Sequence, residues 1–433
     1  MIWNKEMECA DRETMRALQL ERLQATVKYE YERVPYYAAK MDKAGVKPED
    51  IQTLEDIALL PFVTKEDLAE NYPTGLFAAP MEDIVRIHSS SGTTGKPKIV
   101  GYTEGDMEDW GEGVARGLVM AGIGKNDVAH ISYGYGMFTG GLGAHAGAEA
   151  IGATVLPMSS GNTARQVMFL QDLKSDVLCC TPSYALTIAE AVEKAGIKPE
   201  DLQVRAGLFG AEPWTQSMRD KIEQGLGLRA HDIYGLVEIT GPGVATSCIE
   251  NNGMHINEDL FYPEIVDPNT LKPLPIGETG ELVFTTLKKR GMPMIRYRTR
   301  DICYLMDEKC PCGRTTVRMS RVFGRTDDML IVKGVNVFPS QVETVIAQFE
   351  ELTLNYKLLV DRKNNSDTIE LMVEFAEGIE IDDIEFVENM KSRVEHALRD
   401  TLQIGCKVRL LNAGTLPRSE GKAVRVEDRR RYE

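Results

Sequence analysis

The run Ser89-Ser90-Ser91-Gly92-Thr93-Thr94-Gly95-Lys96-Pro97-Lys98 places five hydroxyls, two glycines and two lysines in ten residues. Glycine lets the backbone approach a charged oxygen closely and turn its N–H groups toward it, hydroxyls donate hydrogen bonds, and lysine adds mobile positive charge. These are the components of a phosphate-holding loop. A Walker loop needs Gly, four residues, then Gly-Lys-Ser/Thr opening a helix. Here two residues separate the glycines and Pro97 follows Lys96, which disfavours helix continuation and excludes the P-loop NTPase reading.

Around this loop, between about 85 and 240, short β-rich runs alternate with helical ones: Ile84–His88, Val128–Ser132, Thr154–Pro157, Val177–Cys180, Ala206–Phe209 and His231–Tyr234. Several end in Gly, Ser or Pro clusters, the pattern of βαβ units in a largely parallel sheet with ligand loops at the strand ends. Before it, Leu20, Leu23, Val27, Tyr31 and Val34 recur at helical spacing until Pro35. The phrase Ala44-Gly45-Val46-Lys47-Pro48-Glu49-Asp50 returns as Ala195-Gly196-Ile197-Lys198-Pro199-Glu200-Asp201. Both read as helix stops, with Gly after the last turn and Pro opening the next one. After residue 281 the strands shorten. Beyond Arg325 a separate α+β unit is expected: strand Asn355–Asp361, a turn, strand Thr368–Phe375, helix Asp382–Leu402 and strand Lys407–Leu411, with the boundary in Gly324–Asp328.

A chain of 433 residues exceeds one ordinary core, and 43% hydrophobic with 27% charged residues is the composition of a globular protein. There is no apolar run long enough to span a bilayer and no signal-peptide pattern at Met1–Arg12, so a cytoplasmic location is expected. A net charge of −16 argues against nucleic acid or a membrane surface as partner. Eight cysteines are too few for a disulfide scaffold. Among them Cys248, Cys310 and Cys312, with His255, form a ligand set suited in type to a closed structural zinc site, although only the fold could join its halves.

The Ser89–Lys98 run resembles the signature loop of the adenylate-forming, acyl-CoA synthetase superfamily, and five further stretches match that superfamily in order. The resemblance implies an α/β fold: a large N-terminal adenylate-forming domain over 1–324, with mostly parallel sheets and a small β-rich subdomain, and a small mobile α+β domain over 325–433. It implies that Ser89, Ser90, Ser91, Gly92, Thr93, Thr94, Gly95 and Lys98 hold ATP phosphates. Gly210, Ala211, Glu212 and Pro213 would lie against adenine, with Asp232, Tyr234 and Gly235 beside them. Glu238 would hold Mg²⁺ with Thr94, as a hard cation requires oxygen. Asp301 would accept the ribose hydroxyls, although Arg300 stands where the superfamily usually has glycine, and Arg325 would reach ribose or phosphate. Asp327 would be the pivot, Lys333 and Gly334 would line the thiol tunnel, and Lys422, in Leu416-Pro417-Arg418-Ser419-Glu420-Gly421-Lys422, would serve the α-phosphate.

Within the superfamily, Tyr29–Tyr37, Ser132–Gly141, Met254–Asp259 and Phe261–Glu264 resemble the phenylacetate–CoA ligase family. That implies ATP, coenzyme A and an aromatic carboxylic acid as substrates, with Tyr135, Phe138, Ala211 and Ile239 as walls of the acid pocket. A homodimer is left open. So are two other functions: a same-fold ligase for another acid or acceptor, such as the deazaflavin-adenylating relatives, and a nucleotide-binding protein without catalysis.

Overall fold

In a computed structural model, residues 1–90, 97–326, 330–332, 335–363, 366–379, 383–418 and 424–430 are described. Among them a nine-stranded mixed sheet organises the molecule. Five strands are parallel neighbours, in the order Thr154–Pro157, Val128–Ile131, Val177–Cys180, Ala206–Gly210 and Arg229–Leu236. The central runs Val177–Cys180 and Ala206–Gly210 are short, apolar and buried on both faces, as a helix-covered parallel sheet requires. Antiparallel strands continue the sheet from Gly241–Ser247 through Met254–Ile256 and Arg318–Met319 to Leu305–Met306. The sequence reading anticipated the parallel half and not this extension, whose short strands carry no alternation of their own.

The signature loop caps a two-stranded antiparallel hairpin, Arg86–Ser89 against Ile99–Tyr102. A four-stranded antiparallel sheet, ordered Phe261–Val266, Gly280–Thr286, Tyr297–Cys303 and Gly324–Arg325, closes the other side of the cleft. The N-terminal helix Arg12–Arg33 is capped by Asp11 and stops at Val34. Pro35, at the first position of the next helix, starts a new element rather than trailing the old one. The repeated phrase takes the same local form twice: Gly45 and Gly196 both have φ of 71°, and Pro48–Asp50 and Pro199–Asp201 are both single 3₁₀ turns.

In the C-terminal part, the hairpin Leu352–Lys363 with Ser366–Phe375 is flanked by Val426–Asp428 on one side and Lys407–Leu411 on the other, each parallel to its neighbour. Ile369, Leu371, Val373 and Phe375, alternating along the second strand, are all buried. Met390, Val394, Leu398 and Leu402 of helix Ile384–Leu402 recur every four residues and are buried with them. This unit docks on the outer helix Pro182–Lys194. Lys194 pairs with Glu377 at 2.6 Å, and Arg418 lies 3.4 Å from Glu190.

Candidate functional site

A cleft of about 210 Å³ lies at the carboxyl ends of strands Ala206–Gly210 and Arg229–Leu236, where ligands of parallel sheets bind. Gly210, Ala211, Glu212, Pro213, Asp232, Tyr234, Gly235, Asp301 and Arg325 all line it, so residues separated by more than a hundred positions meet there. The glycine at 210 is forced: a Cβ there would stand 2.1 Å from the Ile233 carbonyl oxygen. Ala211 has φ of 72°, a left-handed conformation that an L residue pays for and that turns the loop across the cleft.

Asp301 is the best-defined polar group of this wall. Tyr234 donates to one carboxylate oxygen at 2.6 Å and Arg325 to the other at 2.7 Å. Arg300, at the position where glycine is usual in the superfamily, has φ of 70°. A non-glycine residue holds this left-handed backbone at a cost of roughly 1–2 kcal/mol. Asp232 accepts from the Trp214 indole at 2.5 Å and from Arg219, with Arg321 at 3.7 Å. Glu212 accepts from the Ser183 backbone N–H at 2.7 Å, at the start of helix Pro182–Lys194, where a carboxylate is favoured.

Glu238 is buried in the turn that follows Tyr234. Three backbone carbonyls of this turn are held from behind. The Tyr102 hydroxyl lies 3.3 Å from the Val237 oxygen and 3.0 Å from that of Thr240, and Lys289 donates to Ile239 at 2.8 Å. The Lys289 ammonium sits 4.3 Å from the Tyr102 ring centroid and is pushed down to about 8 by burial, against the charges of Asp106 and Glu238. A lysine inside a core gives no sequence signal that separates it from its solvated neighbour Lys288. The Tyr297 hydroxyl is also buried and without a hydrogen-bond partner. Its pKa is raised well above the ordinary value, first by burial and then by the Glu238 charge.

Of the signature loop, Ser89, Ser90 and Lys98 are described. Ser90 donates its backbone N–H to the Lys98 carbonyl at 3.1 Å, and Lys98 returns its own N–H to the Ser90 hydroxyl at 3.3 Å, which closes the loop base. Ser89 donates its N–H to the Met137 carbonyl at 2.9 Å, tying the hairpin to the Ser132–Gly141 segment. The expectations for Ser91, Gly92, Thr93, Thr94, Gly95, Asp327, Lys333, Gly334 and Lys422 lie outside the described residues.

The four residues expected to wall the acid pocket differ in exposure and in partners. Ala211 lines the cleft, Tyr135 hydrogen-bonds His145 at 3.2 Å, and Phe138 is half exposed. Ile239 has 0% exposure inside the main core.

Away from the cleft, Cys248, His255, Cys310 and Cys312 converge, with all four ligand atoms within 4.8 Å of one another. The antiparallel pairing of Ser247 with Met254 brings Cys248 to His255, and that of His255 with Arg318 brings up the loop carrying Cys310 and Cys312. The Cys248 and Cys310 sulfurs are 3.7 Å apart, and the Cys312 sulfur is 3.4 Å from His255 Nε2. Nδ1 of His255 lies 3.0 Å from the Thr316 hydroxyl, which fixes the ring with Nε2 facing the thiols.

The acidic residues of Met254–Glu264 are pinned by arginines. Glu258 takes both terminal nitrogens of Arg12, Asp259 both of Arg116, and Glu264 two nitrogens of Arg296. They brace the frame and do not enter the cleft lining.

A cleft at strand ends, in a chain whose smaller C-terminal α+β unit docks on helix Pro182–Lys194, fits the architecture of an AMP-binding enzyme. Residues 11–287 match the AMP-binding enzyme family and residues 334–430 its C-terminal domain. The phenylacetate-coenzyme A ligase of Thermus thermophilus is 49% identical over 445 residues, covering 100% of both chains, and that of Escherichia coli is 49% identical over 439 residues, covering 99% of both. The chain belongs to the phenylacetate–coenzyme A ligase family. Among solved structures, 2-hydroxyisobutyryl-CoA ligase in the postadenylation state, in complex with an acyl-AMP, superposes with a TM-score of 0.92 at 28% identity, over 99% of this chain and 92% of that one. The same ligase in the thioesterification state, with acyl-AMP and CoA, gives 0.74 at 29% identity over the same shares. No helix among the described residues is long and apolar enough to cross a membrane.

Proposed function

We propose that this chain activates phenylacetate with ATP, forming phenylacetyl-adenylate and pyrophosphate, and then transfers the acyl group to coenzyme A with release of AMP. The observation that carries the reading is the Tyr234–Asp301–Arg325 constellation in a strand-end cleft, within a chain 49% identical over its full length to phenylacetate-coenzyme A ligases. A carboxylate is a poor acyl donor, whereas AMP is a good leaving group, which is why the mixed anhydride comes first.

Asp301 is assigned to the ribose, with Arg325 beside it, and the Gly210–Pro213 loop to the adenine, with Asp232, Tyr234 and Gly235. The Ser89–Lys98 loop takes the departing β- and γ-phosphates. Lys422 serves the α-phosphate, since an ammonium between two anions lets the carboxylate approach and neutralises charge in the transition state. Mg²⁺ fits the Glu238 corner. That carboxylate is buried, and its charge reaches the Tyr297 hydroxyl and the Lys289 ammonium, so it offers the hard anionic oxygen that magnesium needs; an ion there, shared with Thr94, would neutralise phosphate charge. The acid ring is assigned to a slot walled by Tyr135, Phe138, Ala211 and Ile239, of which Ala211 lines the cleft.

The four-ligand cluster fits Zn²⁺. Around a tetrahedral zinc, S···S edges are about 3.8 Å and S···N edges about 3.6 Å, close to the 3.7 and 3.4 Å separations found here. With four protein ligands and a position outside the cleft lining, such an ion is structural. The pivot between the half-reactions is assigned to Asp327, at a boundary between 1–324 and 325–433, with Lys333 and Gly334 at the thiol path. This boundary falls between the two matched segments, 11–287 and 334–430. The chemistry belongs in the cytoplasm, where eight unpaired cysteines persist as thiols.

The test separates the half-reactions. Lys422→Ala should abolish phenylacetate-dependent pyrophosphate exchange with ATP and leave thioester formation from supplied phenylacetyl-adenylate and CoA largely intact. Equal loss of both overturns the assignment of Lys422.

A further inference from the structure

The segment that leads to Lys422 is gripped by a buried carboxylate. Glu374, on strand Ser366–Phe375, has a side chain with 0% exposure, and burying a carboxylate without partners is costly. Among the described residues its side-chain partners come from the Leu416–Arg418 stretch: one oxygen accepts the Leu416 backbone N–H, and the other accepts Arg418 Nη1 at 2.7 Å. Both ends of this grip belong to the C-terminal unit, so it travels with that unit as a rigid whole.

Arg418 also reaches the other body. Its Nε lies 3.4 Å from Glu190 Oε2, on helix Pro182–Lys194, and a planar guanidinium can serve two carboxylates from two directions at once. Glu190 is anchored in the large domain, so the Glu374–Arg418 contact survives a swing of the small domain while the Glu190–Arg418 contact does not. The interdomain arrangement found here is the one that superposes at 0.92 with the postadenylation form of the related ligase and at 0.74 with its thioesterification form.

We propose that Glu190, by catching Arg418 while Glu374 holds it from behind, is a positioning residue that keeps the Leu416–Arg418 stretch, which leads in sequence to Lys422, seated for adenylation. Arg418 and Lys422 are four residues apart in the sequence, so holding Arg418 restrains the chain that carries Lys422. The inference rests on the two-step ligase reading. The Glu190 and Arg418 side chains are 38% and 25% exposed, so the contact is a modest bias, about threefold to fivefold in the equilibrium between poses. A device that must release on every turnover gains nothing from being stronger.

Two other charges lie close enough to confuse a simple deletion. Lys221, pushed down by burial, feels the Glu190 charge, and Lys194 on the same helix pairs with Glu377 at 2.6 Å. The experiment is therefore a double-mutant cycle. Glu190→Gln should lower pyrophosphate exchange about threefold to fivefold, with the KM for ATP unchanged and thioester formation from supplied phenylacetyl-adenylate equal or faster. Arg418→Lys keeps a cation for Glu374 but cannot span both carboxylates, so in that background Glu190→Gln should cost little further. Equal loss in both half-reactions, or an undiminished effect in the Arg418→Lys background, overturns the catch. Absence of pyrophosphate exchange in the wild type overturns the ligase reading instead.

Discussion

Glu30 sits where the buried stripe of the N-terminal helix calls for an apolar residue. The stripe runs Met15, Gln19, Leu23, Thr26, Val27 and Glu30, and the Glu30 side chain has 0% exposure with neither oxygen hydrogen-bonded. Burial raises its pKa well above the ordinary 4.5, so the folded protein holds the neutral acid. The sign follows from proton counting. Above the unfolded pKa the folded chain binds one more proton than the unfolded chain, so this group's contribution is fully present at low pH and is lost as pH rises toward the folded value. The slope is about 1.4 kcal/mol per pH unit. Glu30→Gln keeps the shape and removes the proton. The variant should match the wild type near pH 4 and then gain on it as pH rises above the unfolded pKa. Urea unfolding of both proteins, followed by far-UV circular dichroism at several pH values, reads the difference directly. Glu264 and Glu343, whose pKa values are also raised mainly by burial, cancel in that comparison. A stability difference that stays flat with pH, or a variant that loses ground as pH rises, would show that Glu30 is charged and paired in the fold.

Two further outcomes test the cleft and the metal cluster. Gly210→Ala forces a Cβ against a backbone oxygen 2.1 Å away, so one of the two central strands must shift. A cost of about 1–3 kcal/mol and a raised KM for ATP are expected, and an unchanged KM would detach this loop from the nucleotide. Cys312→Ser should reduce the zinc measured in purified protein from about one per chain to near none and lower the melting temperature; a wild type free of zinc ends that assignment.

The parallel half of the main sheet was legible because each strand is a short apolar run closed by a turn. Thr154–Pro157 and Val177–Cys180 fall at the very residues expected, as does Lys407–Leu411 in the C-terminal sheet. The antiparallel extension was not, since Arg318–Met319 and Leu305–Met306 are two-residue strands defined only by their neighbours. The cleft residues were legible because their types recur in a fixed order. What the sequence could not carry is support from behind: Lys289 and Tyr102 hold the Glu238 turn through its carbonyls, and any backbone offers carbonyls. The family-like stretch Met254–Glu264 drew attention for function, and its carboxylates serve arginine pairs that brace the frame.

Asp301 shows how nucleotide binding and domain movement can share one residue. A carboxylate has about four acceptor positions. Tyr234 occupies one on one oxygen and Arg325 one on the other, so both carboxylate oxygens are held in place from within the protein. The three residues come from two sheets: Tyr234 from the main sheet, and Asp301 and Arg325 from neighbouring strands of the four-stranded sheet. Asp301 and Arg325 are also direct cross-strand partners, and the Thr326 N–H donates to the Arg300 carbonyl at 2.8 Å. Arg300 therefore supplies more than a tolerated exception to glycine: its left-handed backbone aims this carbonyl at the first residue past the strand. On the proposed roles, a ribose seated on Asp301 adds charge-assisted bonds to the carboxylate that anchors Arg325. The swing must then begin just beyond Thr326, because everything up to that residue is tied to the bound nucleotide.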